Sequence, residues 1–260
     1  MKKTQLTLVQ IDNYGPWTVT PEPRPEPDLQ TMQSRLFADL SQHIGRHEGY
    51  IFFTRFDNML AVTNGMTRSA LLALQRSIGN RYPVTISLST ATDHHPATAA
   101  ATASRQLQAA GSAQDGSRRE ILRMDEASPV PTSEQQAVIA HFDVNDVTTR
   151  YTDTQNAYDT FLEIEHAYAA LGQYMRDRCE ALSFFVGGDN IIAVTPELPR
   201  EDFREAIEHV DREVGVSLKV GVGVDQRAQP AGMAAKHALE VCRSAGSRVE
   251  LGGQITEKRL

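Results

Sequence analysis

Phe184-Phe185-Val186-Gly187-Gly188-Asp189-Asn190-Ile191-Ile192-Ala193-Val194-Thr195 is the stretch around which the rest of the chain is organised. Two apolar, β-prone runs flank Gly187-Gly188-Asp189-Asn190, which is the composition of a strand, a tight turn and a returning strand, so a β-hairpin is expected. Glycines at its tip let backbone come close to a ligand because no Cβ intervenes, and an aspartate beside them can hold a hard cation that in turn holds phosphate. The same residues also suit an ordinary turn. Taken alone, this window leaves a metal-phosphate site and a plain connection both open.

The device occurs twice. Arg55-Phe56-Asp57-Asn58-Met59-Leu60-Ala61-Val62-Thr63 shares Asp-Asn, two apolar residues and Ala-Val-Thr with Gly187 to Thr195, at an offset of 132 residues (189 − 57). Asp12, after Leu8-Val9-Gln10-Ile11, matches Asp143, after Ile139-Ala140-His141-Phe142, at an offset of 131 (143 − 12). Val84 to Leu88 matches Val216 to Val220 at 132 (216 − 84), and Ala110-Gly111-Ser112 matches Ala245-Gly246-Ser247. Landmarks that keep their order at so long a spacing indicate a tandem duplication of one domain, since solenoid repeats are several-fold shorter. The expected organisation is a first domain over 1–124, a linker over 125–137 holding Pro129 and Pro131, and a second domain over 138–260.

A length of 260 residues accommodates two such domains, each large enough for its own core. Apolar residues at 40% and charged ones at 23% describe a globular chain with no membrane-length apolar run and no signal peptide, so a cytoplasmic protein without membrane contact is expected. A formal charge of −7 argues against coating nucleic acid, while a nucleotide substrate stays compatible because bound divalent cations supply positive charge. Cys179 and Cys242 stand alone, which argues against thiolate-bound zinc, and His43 and His47 lack a partner acid between them.

In chain order, Leu6 to Ile11 reads as a strand ending at Asp12, and Thr18 to Pro27, with a proline at every second position from Pro21, reads as an extended segment. The only tryptophan, Trp17, borders that segment, which makes a nucleotide cover one reading and a surface connection the other. Asp28 is expected to cap a helix whose apolar face is Leu29, Met32, Leu36, Leu40 and Ile44, stopping at Gly45. A hairpin around Asp57, a helix over 69–78, a strand over 82–90, a helix over 96–110 and a short strand at 121–122 complete the first copy. The second copy repeats strand, helix (155–178), hairpin, helix (200–213), strand (216–224) and helix (232–245), with 252–260 as a loose tail. Each copy is therefore expected to be an α+β, ferredoxin-like fold of the palm type.

In such a fold the end of the first strand lies beside the central hairpin, so Asp12 is expected to meet Asp57 and Asp143 to meet Asp189. Paired carboxylates at a sheet edge can bridge two divalent ions, and oxygen-only ligands favour magnesium or manganese. The alternative is that either pair merely caps turns.

These residues resemble known proteins. Asp143 after a strand, with Gly187-Gly188-Asp189-Asn190 at a hairpin, is similar to the palm domains of polymerases and of GGDEF-type and other nucleotidyl cyclases. Val9 to Pro21 with its Asn13-Tyr14-Gly15-Pro16-Trp17, Gln33 to Leu36, Phe53 to Asn58, Asn80 to Pro83, His141-Phe142-Asp143 and Gly187 to Asn190 together resemble the archaeal GTP cyclohydrolase III family over nearly the whole chain. That resemblance implies hydrolysis of GTP, through Mg-activated water, to 2-amino-5-formylamino-6-(5-phosphoribosylamino)pyrimidin-4(3H)-one with release of two phosphates. It further implies magnesium, a monovalent cation such as potassium, a homotetramer and a product used in riboflavin and deazaflavin synthesis. By it Asp12, Asp57, Asp143 and Asp189 become catalytic and metal-binding candidates, while Gly187, Gly188, Asn190, Asn13, Trp17, Arg55 and Phe56 become candidates for contacting GTP. The second copy is favoured as the working site because Gly187 and Gly188 leave room for phosphates where the first copy has Arg55 and Phe56. A nucleotidyl or diguanylate cyclase and a catalytically silent GTP-binding module are the competing readings.

Overall fold

The computed structural model describes residues 2–124, 132–146, 151 and 153–252. The chain divides into two units, Met1–His94 with Thr98–Gln135, and His95–Ala97 with Gln136–Leu260. Most of the expected linker, residues 125–131, and most of the expected tail, residues 253–260, lie outside the described residues.

The first unit runs β1 (Thr4–Ile11), α1 (Tyr14–Val19), α2 (Glu26–Gly45), β2 (Tyr50–Arg55), β3 (Asn58–Val62), α3 (Arg68–Gly79), β4 (Ile86–Asp93), α4 (Pro96–Gln108) and β5 (Leu122–Met124). Its sheet has the order β2-β3-β1-β4-β5, antiparallel except for the parallel β4–β5 edge. Strand β1 carries Val9 and Ile11 on the face covered by α2 and α3, which bring Leu36, Leu40 and Ile44 and Leu71, Leu74 and Ile78 into one core. Their spacing of three and four residues puts each set on one helical stripe. Burying each such side chain contributes about 1.5–3 kcal/mol, so the stripe fixes the helix against the sheet.

The second unit repeats this plan as β6 (Ala137–Val144), α5 (Ala157–Cys179), β7 (Leu182–Gly187), β8 (Asn190–Thr195), α6 (Arg200–Val214), β9 (Leu218–Asp225), α7 (Ala228–Ala245) and β10 (Val249–Gly252), with sheet order β7-β8-β6-β9-β10. Ala167, Leu171 and Met175 of α5 and Phe203, Ala206, Ile207 and Val210 of α6 pack on Val138, Ala140, Phe142 and Val144 of β6. Helix α5 starts at Asn156, whose Oδ1 accepts from the backbone N–H groups of Tyr158 and Asp159, and α6 stops at Gly215 with φ 76°. On the opposite face α7 lies almost on the sheet: a Cβ at Gly221 or Gly223 of β9 would come within 2.2 Å and 2.1 Å of the carbonyl oxygens of Ala235 and Ala231. Each unit is thus an α+β, ferredoxin-like βαββαβ core with an added helix and strand. No helix among the described residues is long and apolar enough to cross a membrane.

Several expectations need correction. The segment from Thr18 to Pro27 is not wholly extended: α1 reaches Val19, and α2 begins at Glu26 with Pro27 in its first turn, so Asp28 lies inside the helix rather than capping it. Proline is tolerated there because first-turn N–H groups have no intrahelical acceptor to lose. Residues 82–85 are not strand. Tyr82 instead donates its hydroxyl to Asp39 of α2 at 2.6 Å, and β4 starts at Ile86. Gly252, expected in a loose tail, ends β10, which pairs in parallel with β9.

The most consequential correction concerns the duplication. In the first unit Gln10 lies opposite Asn58 and Ser87, and in the second Asp143 lies opposite Asn190 and Lys219. The residue equivalent to Asp143 is therefore Gln10, and Asp12 corresponds to Asn145. The same conclusion follows from the backbone, where Asp12 N–H donates to Thr85 O at 2.9 Å and Asn145 N–H donates to Ser217 O at 2.8 Å. Asp12 and Asp143 share a face because side chains alternate with a period of two, but they stand one step apart along it.

Candidate active site

At the end of β6, Asp143 is set between the first residue of β8 on one side and Lys219 of β9 on the other. Its side chain is 5% exposed. Lys219 Nζ lies 2.8 Å and Arg243 Nη2 of α7 lies 3.1 Å from the same oxygen, Oδ2. Lys219 also donates to Asn145 Oδ1 at 3.2 Å. Two residues earlier on the same face, buried His141 places Nε2 2.8 Å from Asn190 Oδ1, and burial pushes the imidazole below its ordinary pKa. The neutral tautomer with the proton on Nε2 follows, because an amide oxygen only accepts.

Between β7 and β8 the turn is made by Gly187 at φ 105° and Gly188 at φ 64°. Both conformations are costly for residues with a Cβ, and the space beside Gly187 is open, with nothing within 4 Å of where a methyl group would sit. Asp189 follows, its Oδ1 accepting from Asn190 Nδ2 at 3.0 Å. Burial first and the field of Asp143 second hold the Asp189 carboxyl above its ordinary pKa, against the opposing pull of Lys219 and Arg243. The Asp143 carboxylate thus disfavours the Asp189 anion, and a cation beside both would relieve that repulsion.

The first unit is built differently at the corresponding edge. Asp12 is 3% exposed and accepts from Ser87 Oγ at 2.5 Å, Thr85 Oγ1 at 2.8 Å and Glu120 N–H at 2.9 Å. The Arg118 guanidinium, itself buried, stands 3.7 Å from Asp12 Oδ1. These partners come from β4, the residue just before it and the segment before β5. Asp57 lies at the other side of β1, its main-chain oxygen accepting from Ile11 N–H at 2.9 Å and its carboxylate paired with Arg55 at 3.1 Å. The position directly opposite Asn58 is Gln10, whose Nε2 donates to Asn58 Oδ1 at 2.9 Å, while the Asp12 carboxylate takes its hydrogen bonds from Thr85, Ser87 and Glu120.

Among the other candidates of this unit, Asn13 adopts φ 51° ahead of α1 and keeps a buried Oδ1 without a hydrogen bond. Trp17 lies under the Arg24 guanidinium, 4.1 Å from ring centre. Phe56, half exposed at the hairpin tip, continues a row of rings with Phe53 and Phe37 at centroid separations of 4.8 and 3.9 Å.

Lys219 and Arg243 were not singled out from the sequence, and His141 entered only as part of the His141-Phe142-Asp143 motif. A lone lysine among Leu218, Val220 and Val222, on a face shared with Gly221 and Gly223, is the signal that marks an inward-pointing charge.

No group of three or more His, Cys, Asp or Glu side chains gathers among the described residues. Two carboxylates beside an open glycine turn are still what magnesium uses, since it takes one or two protein carboxylates and fills its remaining positions with water and substrate phosphates. Zinc held by thiolates has no such footing, as Cys179 and Cys242 are both buried, and burial pushes both thiols up.

A family model described as GTP cyclohydrolase III matches residues 6–254. The chain is 62% identical to the GTP cyclohydrolase III of Natronomonas pharaonis over 96% of its own length and 99% of that protein. It is 56% identical to that of Halorubrum lacusprofundi over 96% and 97%, and 43% identical to that of Methanocaldococcus jannaschii over 92% and 88%. With its twin ferredoxin-like units, and this identity along almost its entire length, the chain belongs to the GTP cyclohydrolase III family of enzymes.

Proposed function

We propose that this chain hydrolyses GTP to 2-amino-5-formylamino-6-(5-phosphoribosylamino)pyrimidin-4(3H)-one, opening the imidazole ring at C8 and releasing two phosphates, and that the second unit holds the working metal site. The observation that carries the choice of unit is the placement of Asp143 directly opposite Asn190, beside the open Gly187-Gly188-Asp189 turn, where the first unit has Gln10 opposite Asn58 and no glycine at the turn. Magnesium held by these two carboxylates would polarise the polyphosphate and lower the pKa of bound water. Asp143 would offer the metal the same carboxylate on which Lys219 and Arg243 meet. Gly187 and Gly188 give phosphate oxygens access to main-chain N–H groups, and Asn190 is held in one orientation by His141.

Within the first unit, Arg55, with a side chain 74% exposed, and Phe56 offer a cation and a stacking face of the kinds that suit phosphate and guanine, and Asn13 and Trp17 add a polar and an aromatic group. Asp12 and Asp57 remain the weaker metal candidates, Asp12 because four donors already surround it and Asp57 because it stands alone with Arg55. Potassium, a homotetramer, and a product that feeds riboflavin and deazaflavin synthesis belong to the same proposal and rest on the family likeness alone.

Incubation with GTP and magnesium tests the reaction. Two equivalents of orthophosphate and a formylaminopyrimidine ultraviolet spectrum are expected; pyrophosphate with a cyclic or dinucleotide product, or binding without turnover, would overturn the assignment. Asp189→Asn and Asp57→Asn separate the units: a loss of about a hundredfold or more in kcat for the former and under about tenfold for the latter is expected. Equal losses would refute a single working site.

A further inference from the structure

The Asp143 carboxylate, the proposed metal ligand, already holds two side-chain cations. Lys219 and Arg243 meet on its Oδ2 at 2.8 and 3.1 Å, and the Lys219 side chain is 13% exposed. A divalent ion arriving alone has to share Asp143 with two positive groups, and at such short range like-charge repulsion is large even with partial screening. A desolvated ammonium in turn needs an anion beside it at all times, because an unpaired buried charge is strongly unfavourable. If metal takes Asp143, Lys219 requires a new counter-ion, and the anion that travels with the metal is a polyphosphate.

From this juxtaposition we propose that Lys219 and Arg243 are internal counter-ions that keep divalent metal off Asp143 until a polyphosphate arrives, and then transfer to its oxygens, so that metal and nucleotide load together. The inference rests on the reading of Asp143 and Asp189 as the metal site.

Two further observations support it. The strand does not need a lysine at this position for folding, since Ser87 fills it in the first unit, opposite Gln10 rather than an acid. The arrangement is also held in place from both sides. Asn145 Oδ1 accepts from the same ammonium at 3.2 Å, and Gly221 and Gly223 let α7 lie against β9, the helix from which Arg243 reaches Asp143.

The test is Mn2+ binding to the full chain by equilibrium dialysis, with manganese quantified on both sides of the membrane, with and without inorganic triphosphate. Wild type is expected to bind Mn2+ weakly alone and at least about tenfold more tightly with triphosphate. Lys219→Met is expected to bind Mn2+ about tenfold more tightly than wild type without triphosphate and to lose most of the added effect of triphosphate. Arg243→Met, at a half-exposed helix position where folding is not at risk, is expected to move both quantities the same way by less. Asp143→Asn is expected to abolish the tight component in every case. Unchanged or weaker Mn2+ binding by both Lys219→Met and Arg243→Met, with Asp143→Asn still abolishing it, would overturn the exchange and leave the metal site standing. Asp143→Asn binding Mn2+ like wild type would overturn the metal site itself and the inference with it.

Discussion

Gly221→Ala sets two effects of opposite sign against each other. Judged by backbone propensity alone, alanine in place of a strand-interior glycine should stabilise by about 0.5–1 kcal/mol. The added Cβ, however, would lie 2.2 Å from Ala235 O, 2.3 Å from Leu239 N and 2.9 Å from Ala238 C. All three are main-chain atoms of α7 and cannot turn aside as the tip of a flexible side chain would. Restoring ordinary contact requires α7 to retreat by roughly 1 Å over that turn, at an overpacking cost of about 1–3 kcal/mol or more. The net expectation is destabilisation of the second unit by about 2 kcal/mol, or a melting temperature lower by roughly 4–8 °C, read by scanning calorimetry. The displaced helix also draws Arg243 away from Asp143, so metal affinity should change along with stability. Ser89→Ala is the matched control: Ser89 occupies the equivalent ladder position in the first unit, where its hydroxyl donates to Gln106 Oε1 at 2.5 Å. Its loss should cost about 1 kcal/mol with no overpacking. A Gly221→Ala protein melting within about 1 °C of wild type would refute the close-approach argument.

In the first unit, Asp12→Asn should cost about 3–5 kcal/mol in urea denaturation, because it leaves the buried Arg118 guanidinium without a countercharge, whereas Asp57→Asn, paired with an exposed Arg55, should cost less than about 1 kcal/mol. Similar small costs for both would contradict the assignment of Asp12 as a fold-holding carboxylate. Cys179, whose thiol burial pushes up to about 11, should resist alkylation at pH 8 in the folded protein and react freely in urea. Since its folded pKa lies above the ordinary 9.0, the stability this neutral thiol contributes is present below pH 9 and lost as pH rises through about 11. Cys179→Ala should remove that part of the alkaline decline, and equal native and denatured alkylation rates would contradict burial of the thiol.

The amino-acid sequence by itself determined the duplication, the α+β class and the hairpin. The repeated Asp-Asn-x-x-Ala-Val-Thr announces two equivalent turns, and the apolar spacings of 3–4 and of 2 announce which segments coil and which extend. These are local signals, carried by neighbours along the chain. Equivalence between distant strands is not local. Matching Asp12 with Asp143 by residue type kept the right face and the wrong step, because a two-residue slip preserves alternation and only the ladder partners Asn58, Ser87, Asn190 and Lys219 reveal it. The partners of Asp12 were hidden for the same reason: one step further on, its carboxylate meets Thr85, Glu120 and Arg118, up to 108 residues away. Lys219 and Arg243 are likewise invisible as a pair in the sequence, since strand pairing and the bare backbone of Gly221 and Gly223 are what bring a lysine from a strand and an arginine from a helix onto one carboxylate oxygen. Local preference chose the elements, and long-range packing chose which charges they share.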